Sequence, residues 1–159
     1  MMGLEQMRKT VAAGLSKYLG CPVIRSNQNA EPPSYPYVSY TLLTPGGENK
    51  GTYGEYDDGT VAKDFTAVMS FTALSNDSTE SVELAVGARE WLDYAGSVYL
   101  DDNDVIVQSV GNVTNRDNIL SVGFEYRNGF DAVFSVTSVL ENRIKDAGDI
   151  ATAEIVREE

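Results

Sequence analysis

The segment from Lys63 to Leu74 constrains the fold more than any other part of this chain. Phe65, Ala67, Met69, Phe71 and Ala73 alternate with Asp64, Thr66, Ser70 and Thr72, interrupted on the polar side only by Val68. Successive side chains of an extended chain point to opposite faces, so a period of two marks a strand with one buried face and one wet face. Such a strand needs a partner to pair with and a layer to cover its apolar side. Tyr35 to Leu43 supplies the partner, being rich in aromatic and β-branched residues with a proline at its start.

Two helices supply the layer. Leu4, Met7, Val11, Ala12, Leu15, Tyr18 and Leu19 recur at spacings of three and four, which predicts a helix from Leu4 to Leu19, stopped by Gly20 and Pro22. Val23-Ile24 then begins a sheet strand, and Ser26 to Ser34, with Pro32-Pro33, reads as extended loop. Asn76-Asp77-Ser78 followed by Glu80 is a helix-start signature and predicts a second helix from Ser78 to Tyr94, ended by Gly96. Its apolar stripe comprises Val82, Ala85, Val86, Leu92 and Ala95 with the stem of Arg89, broadened by Leu84, Ala88 and Trp91. Glu80, Glu83, Glu90 and Asp93 face outward.

Val105 to Val113 and Ile119 to Tyr126, joined by the polar turn Thr114 to Asn118, read as an antiparallel hairpin. Asn128-Gly129 separates Val122/Phe124/Tyr126 from Phe130/Ala132/Phe134/Val136; it reads either as a two-residue hairpin or as a glycine bulge in one long strand, the bulge being favoured. The order of elements predicts an α+β fold, a mainly antiparallel sheet with two helices packed on one face, in a single domain over residues 1–139.

One segment protrudes from that domain and another follows it. Residues 45–62 are an 18-residue connection holding five glycines with Tyr53 and Tyr56. If they continue the flanking strands as a hairpin arm, the arm reaches about 30 Å beyond the body, far enough to touch a neighbouring subunit. Otherwise they form a surface loop. Residues 140–159 lack a core stripe and form a C-terminal tail, either a frayed end or an arm that adds to a neighbour.

The chemistry available is narrow. The chain has no histidine, hence no imidazole base and no imidazole metal ligand, and its one cysteine, Cys21, excludes intramolecular disulfides and thiolate clusters. Asp101-Asp102-Asn103-Asp104 lacks the glycine and glutamate of a calcium loop and reads as a solvated acidic loop. No phosphate-binding loop or nucleophile elbow is present. The residues therefore name no catalytic group, cofactor or metal, and with no apolar run near the ~20 residues of a membrane span, no membrane partner. A cytosolic protein is expected.

With 24 acidic residues against 12 basic ones the net charge is −12, which opposes binding to nucleic acid. The charge is uneven: residues 1–30 carry Arg8, Lys9, Lys17 and Arg25 against Glu5, whereas Asn76 to Asp104 carries eight acids against Arg89. Such density admits, as an alternative, an acidic DNA-mimic module or inhibitor. A hydrolase using paired carboxylates is a third reading, with no pair singled out.

Taken in order, Leu19-Gly20-Cys21-Pro22-Val23, Asn27-Gln28, Tyr35-Pro36-Tyr37-Val38-Ser39-Tyr40, Val107-Gln108-Ser109-Val110, Asn115-Arg116-Asp117 and Tyr126-Arg127-Asn128-Gly129-Phe130-Asp131 resemble the phage neck terminator family, related in fold to tail terminator and tail-to-head joining proteins. The resemblance implies a virion protein without enzymatic activity, assembled in the host cytoplasm as a homohexameric ring. That ring would cap the tail tube and join it to the head connector, with tail tube or sheath proteins and head-completion proteins as partners. DNA would pass through without specific binding. Candidate contact residues are then Tyr53 and Tyr56 on the arm, Arg116 at its turn, and Arg127 beside Asp131. Arg116 has the alternative of an exposed turn residue, and Arg127 that of pairing locally with Glu125 or Asp131. An acidic channel would draw on Glu55, Asp57 and Asp58 of the arm or on Glu80, Glu83, Glu90 and Asp93.

Overall fold

A computed structural model describes residues 3–47, 54–55, 61–117 and 125–140. Helix α1 spans Leu4–Leu19 and buries Met7, Val11 and Leu15 on one side. Gly20 ends it in the left-handed region at φ 71°, donating its backbone N–H to the Ser16 carbonyl, a conformation that glycine adopts without a Cβ penalty. Strand β1 (Val23–Arg25) follows and pairs parallel to β2 (Tyr37–Gly47), which in turn pairs antiparallel with β4 (Val61–Ser75). The two-residue strand β3 (Gly54–Glu55) lies against Val61 and Ala62 of β4. The rest of the anticipated arm, 48–53 and 56–60, lies outside the described residues, as does the tail beyond Leu140.

The centre of the sheet is the pairing of β4 with β7 (Tyr126–Leu140), fifteen residues against fifteen without a register break, from Val61 opposite Leu140 to Ser75 opposite Tyr126. The strand order is β1-β2-β4-β7-β5, with β5 at Ile106–Val110 and a two-residue strand β6 (Thr114–Asn115) also against β7. The fold is α+β, and all pairs except β1 with β2 are antiparallel.

The alternation along β4 has its expected effect. Ala67, Met69, Phe71 and Ala73 join Val38 and Tyr40 of β2 and Phe130, Ala132, Phe134 and Val136 of β7 in one buried cluster. Met7, Val11 and Leu15 of α1 belong to the same cluster, as do Ala85 and Ala88 of helix α2 (Ser78–Glu90). Phe71 and Phe130 stack with ring centroids 5.4 Å apart. Asp77 caps α2, its side chain accepting from the Thr79 amide at 3.0 Å. The buried polar groups are paired: Ser81 donates to the Ala73 carbonyl and accepts from Asn128 Nδ2, and Ser75 donates to Glu80 Oε1 at 2.6 Å.

Four expectations need correction. The second helix stops as α-helix at Glu90, continues as a π turn over Trp91–Ala95, and is followed by a third helix, α3 (Ser97–Asp102), which takes in two residues of the expected acidic loop. Val82, Val86 and Ala95 of the expected stripe face solvent; Ala85 and Ala88 are buried as expected and Ser81 joins them, because small residues let α2 lie close on β4 and β7. Strand β5 pairs with Ala132 to Ser135 of β7, a longer-range partner than the expected neighbour segment, part of which lies outside the described residues. Asn128-Gly129 is neither turn nor bulge: both residues keep register with Ala73 and Thr72 in mid-strand.

Candidate functional site

Gly129 explains the arrangement on the face of the sheet opposite the core. A Cβ built there would lie 2.2 Å from the Phe71 carbonyl oxygen and 2.9 Å from Arg116 Nη1. The missing side chain leaves a channel across β7 through which the Arg116 guanidinium reaches β4. There it donates to Ser70 Oγ at 2.6 Å, Thr72 Oγ1 at 3.1 Å and the Phe71 carbonyl at 3.4 Å, while Nη2 donates to Asp131 Oδ1 at 3.1 Å. The loop bearing Arg116 is fixed from both sides: the Arg116 amide donates to the Arg127 carbonyl, the Arg127 amide to Asp117 Oδ1, and the Asp117 amide to Asn115 Oδ1. Arg116 is thus a half-buried clamp rather than an exposed turn residue.

At the end of the same face, Glu125 gathers Tyr35 and Arg127. The Tyr35 hydroxyl donates to one carboxylate oxygen and Arg127 Nε to the other at 2.6 Å. Arg127 therefore pairs with Glu125, and Asp131 with Arg116. Burial pushes the Glu125 carboxyl up, but the Tyr35 and Arg127 hydrogen bonds outweigh it and hold it below the usual range. The hydrogen bond to Glu125, with burial, pushes the Tyr35 phenol up to about 12. Tyr35 stacks on Tyr37 with centroids 5.8 Å apart, across the cis Tyr35–Pro36 peptide bond.

A groove of about 410 Å³ opens beside this cluster, between the 24–33 segment and Tyr37, Ser39, Leu74 and Arg127. Glu31 is the one carboxylate among its lining residues, so it offers no carboxylate pair of the kind a glycoside hydrolase needs. Among the described residues no group of three His, Cys, Asp or Glu side chains could hold a metal ion. No described helix is long and apolar enough to cross a membrane. Burial pushes the Cys21 thiol up, away from the reactive thiolate.

The sequence candidates therefore fall into separate places. Arg116 and Asp131 come together, and Arg127 lies nearby at Glu125. Glu83, Glu90 and Asp93 are exposed on α2 and the π turn, with Asp93 3.6 Å from Arg89, while Glu80 is half-buried and held by Ser75. Glu55 lies in β3, and Tyr53, Tyr56, Asp57 and Asp58 fall outside the described residues. Sequence reading missed Gly129 as the seat of Arg116 and Glu125 as the partner of Tyr35. In both cases the contact spans a separation that no short motif encodes.

A family model, phage neck terminator protein, matches residues 9–159. The chain belongs to the phage neck terminator family. It is accordingly a structural protein of the virion neck, whose partners are other head and tail proteins of the phage. Among curated proteins none matches. One similar solved structure is 13% identical, covering 81% of this chain and 94% of that one with a TM-score of 0.35, a likeness too distant to bear on fold or function.

Proposed function

We propose that this neck protein acts as a closed ring of identical subunits, six by analogy with the resemblance, that caps the tail tube and joins it to the head connector. The match to the neck terminator family across residues 9–159 carries this reading. Its assembly takes place in the host cytoplasm, and its partners are tail tube or sheath proteins on one side and head-completion proteins on the other. The net charge of −12 supports it, since DNA must slide through a neck without sticking and carboxylates repel phosphates. Glu55, Asp57 and Asp58 on the 45–62 arm are the proposed channel residues, with Tyr53 and Tyr56 reaching a neighbour. Arg116, Arg127 and Asp131 act by shaping the sheet face that neighbours meet.

Electron microscopy of the purified full chain and of the chain mixed with tail tubes is the direct test, with rings expected at tube ends. Replacing Glu55, Asp57 and Asp58 with lysine should leave ring formation intact and slow DNA release from assembled virions. Unaltered release would remove the channel from the proposal, and failure to find rings under either condition would remove the ring.

A further inference from the structure

Val82 and Val86, which the helical period assigns to the buried side of α2, are 44% and 38% exposed. Tyr94, eight positions after Val86, and Val98 at the start of α3, four positions further on, are 83% and 74% exposed. These four make up half of the eight exposed large apolar residues among those described. In an uninterrupted α-helix residues four apart drift around the axis by about 40° per step. The wider π turn at Trp91–Ala95 rotates the chain less per residue and works against that drift. Exposed Glu90 stands within the row, between Val86 and Tyr94, and exposed Glu83 and Asp93 flank it. An exposed apolar strip rimmed by charge, with one carboxylate to fix its partner, suits a protein contact, and a water-filled DNA channel has no use for a bare tyrosine and three valines.

The complement lies on α1. Residues 6–30 contain no aspartate or glutamate in a chain that is otherwise strongly acidic. Lys9, Ala13 and Lys17, four apart, are exposed along one side of α1, with Tyr18 beside them 51% exposed. Two ammonium groups around a small residue and an aromatic ring match an acidic rim around valines and a tyrosine in both charge and polarity.

We propose that the Val82–Val98 face of one subunit docks on the Lys9–Lys17 face of a second copy of this chain. The proposal rests on the self-association argued above and names its surfaces. The two patches differ, so the contact is heterologous, the kind that repeats head to tail and closes into a ring when the rotation per subunit allows. It assigns Glu83 and Asp93 to the rim of the contact and Glu90 to its middle, and leaves the channel to the arm.

Sedimentation velocity over a concentration series of the full chain tests this with four proteins: wild type, E83K/E90K, K9E/K17E, and the chain carrying all four changes. Every altered position is exposed, and circular dichroism melts verify that the fold is kept. Each double variant should self-associate about tenfold or more weakly than wild type. The fourfold variant, with both charges exchanged, should return to within about threefold of it. Wild-type behaviour of either double variant, or no recovery in the fourfold one, overturns the contact while leaving the ring standing. A wild-type chain that stays monomeric at every concentration overturns the contact, and the ring is then decided by the mixture with tail tubes.

Discussion

On one side of the β4–β7 ladder, Phe71, Phe130 and Phe134 are fully buried in a cluster shared with α1 and α2; on the other, Arg116 lies over Gly129 and makes four hydrogen bonds to β4 and Asp131. The first side is stabilised by area removed from water and by close packing, which depend on volume more than on identity. The second depends on direction and on an absence: a planar cation with donors in fixed positions, and a strand residue with no side chain to block it. A central sheet pair can therefore be tolerant on one face and unforgiving on the other.

The sharpest way to break that contrast is to fill the gap. Gly129→Val should cost more than about 4 kcal/mol, because its Cβ meets a backbone carbonyl 2.2 Å away and the guanidinium must leave as well. Loss of soluble folded protein, or a large drop in the urea midpoint, is the expected readout; near-normal stability would show that β7 can shift away from β4. Next in size, Phe130→Ala should cost about 3–5 kcal/mol through lost burial and the cavity left beside Phe71, whereas Phe130→Leu should lose far less. Arg116→Ala should cost about 1–3 kcal/mol, since Ser70, Thr72 and Asp131 lose a charged donor on a face that water can reach. Arg116→Lys should recover little of it, because an ammonium group cannot serve four acceptors spread along two strands.

The same contrast explains what could be read from the residues. Helix α1 was legible end to end because its apolar stripe, its polar side and its glycine stop all agree. The buried side of β4 was legible for the same reason. Helix α2 was not: Val82 and Val86 fit the helical period as well as the true inner residues do, and only the small size of Ser81, Ala85 and Ala88 marks the side that lies close to the sheet. Asn-Gly is a strong local turn signal, yet Gly129 is set by Arg116, thirteen positions earlier, and by the long register with β4. The family was legible from ordered fragments. The outward side of α2 was not, because an outward valine has no pattern of its own to distinguish it from a core valine.

The smallest expected effect is also the one that isolates the polar face from the apolar one, since burial of phenylalanine does not titrate. The Glu125 carboxyl is held below its usual 4.5 in the folded chain, so near that pH the unfolded chain binds more protons and stability must fall as pH drops toward the folded value. Tyr35 acts at the other end: its phenol is pushed up to about 12 from 10, so its contribution is complete below pH 10 and is lost as pH rises toward 12. Urea midpoints measured from pH 3 to 7 should decline on the acid side for the wild type and decline less for Glu125→Gln. Tyr35→Phe removes the donor that lowers Glu125, so it should flatten the acid limb as well. An acid limb unchanged in both variants would place the pH dependence on carboxylates elsewhere in the chain, and the cluster at the end of the sheet would then be a packing feature like the face behind it.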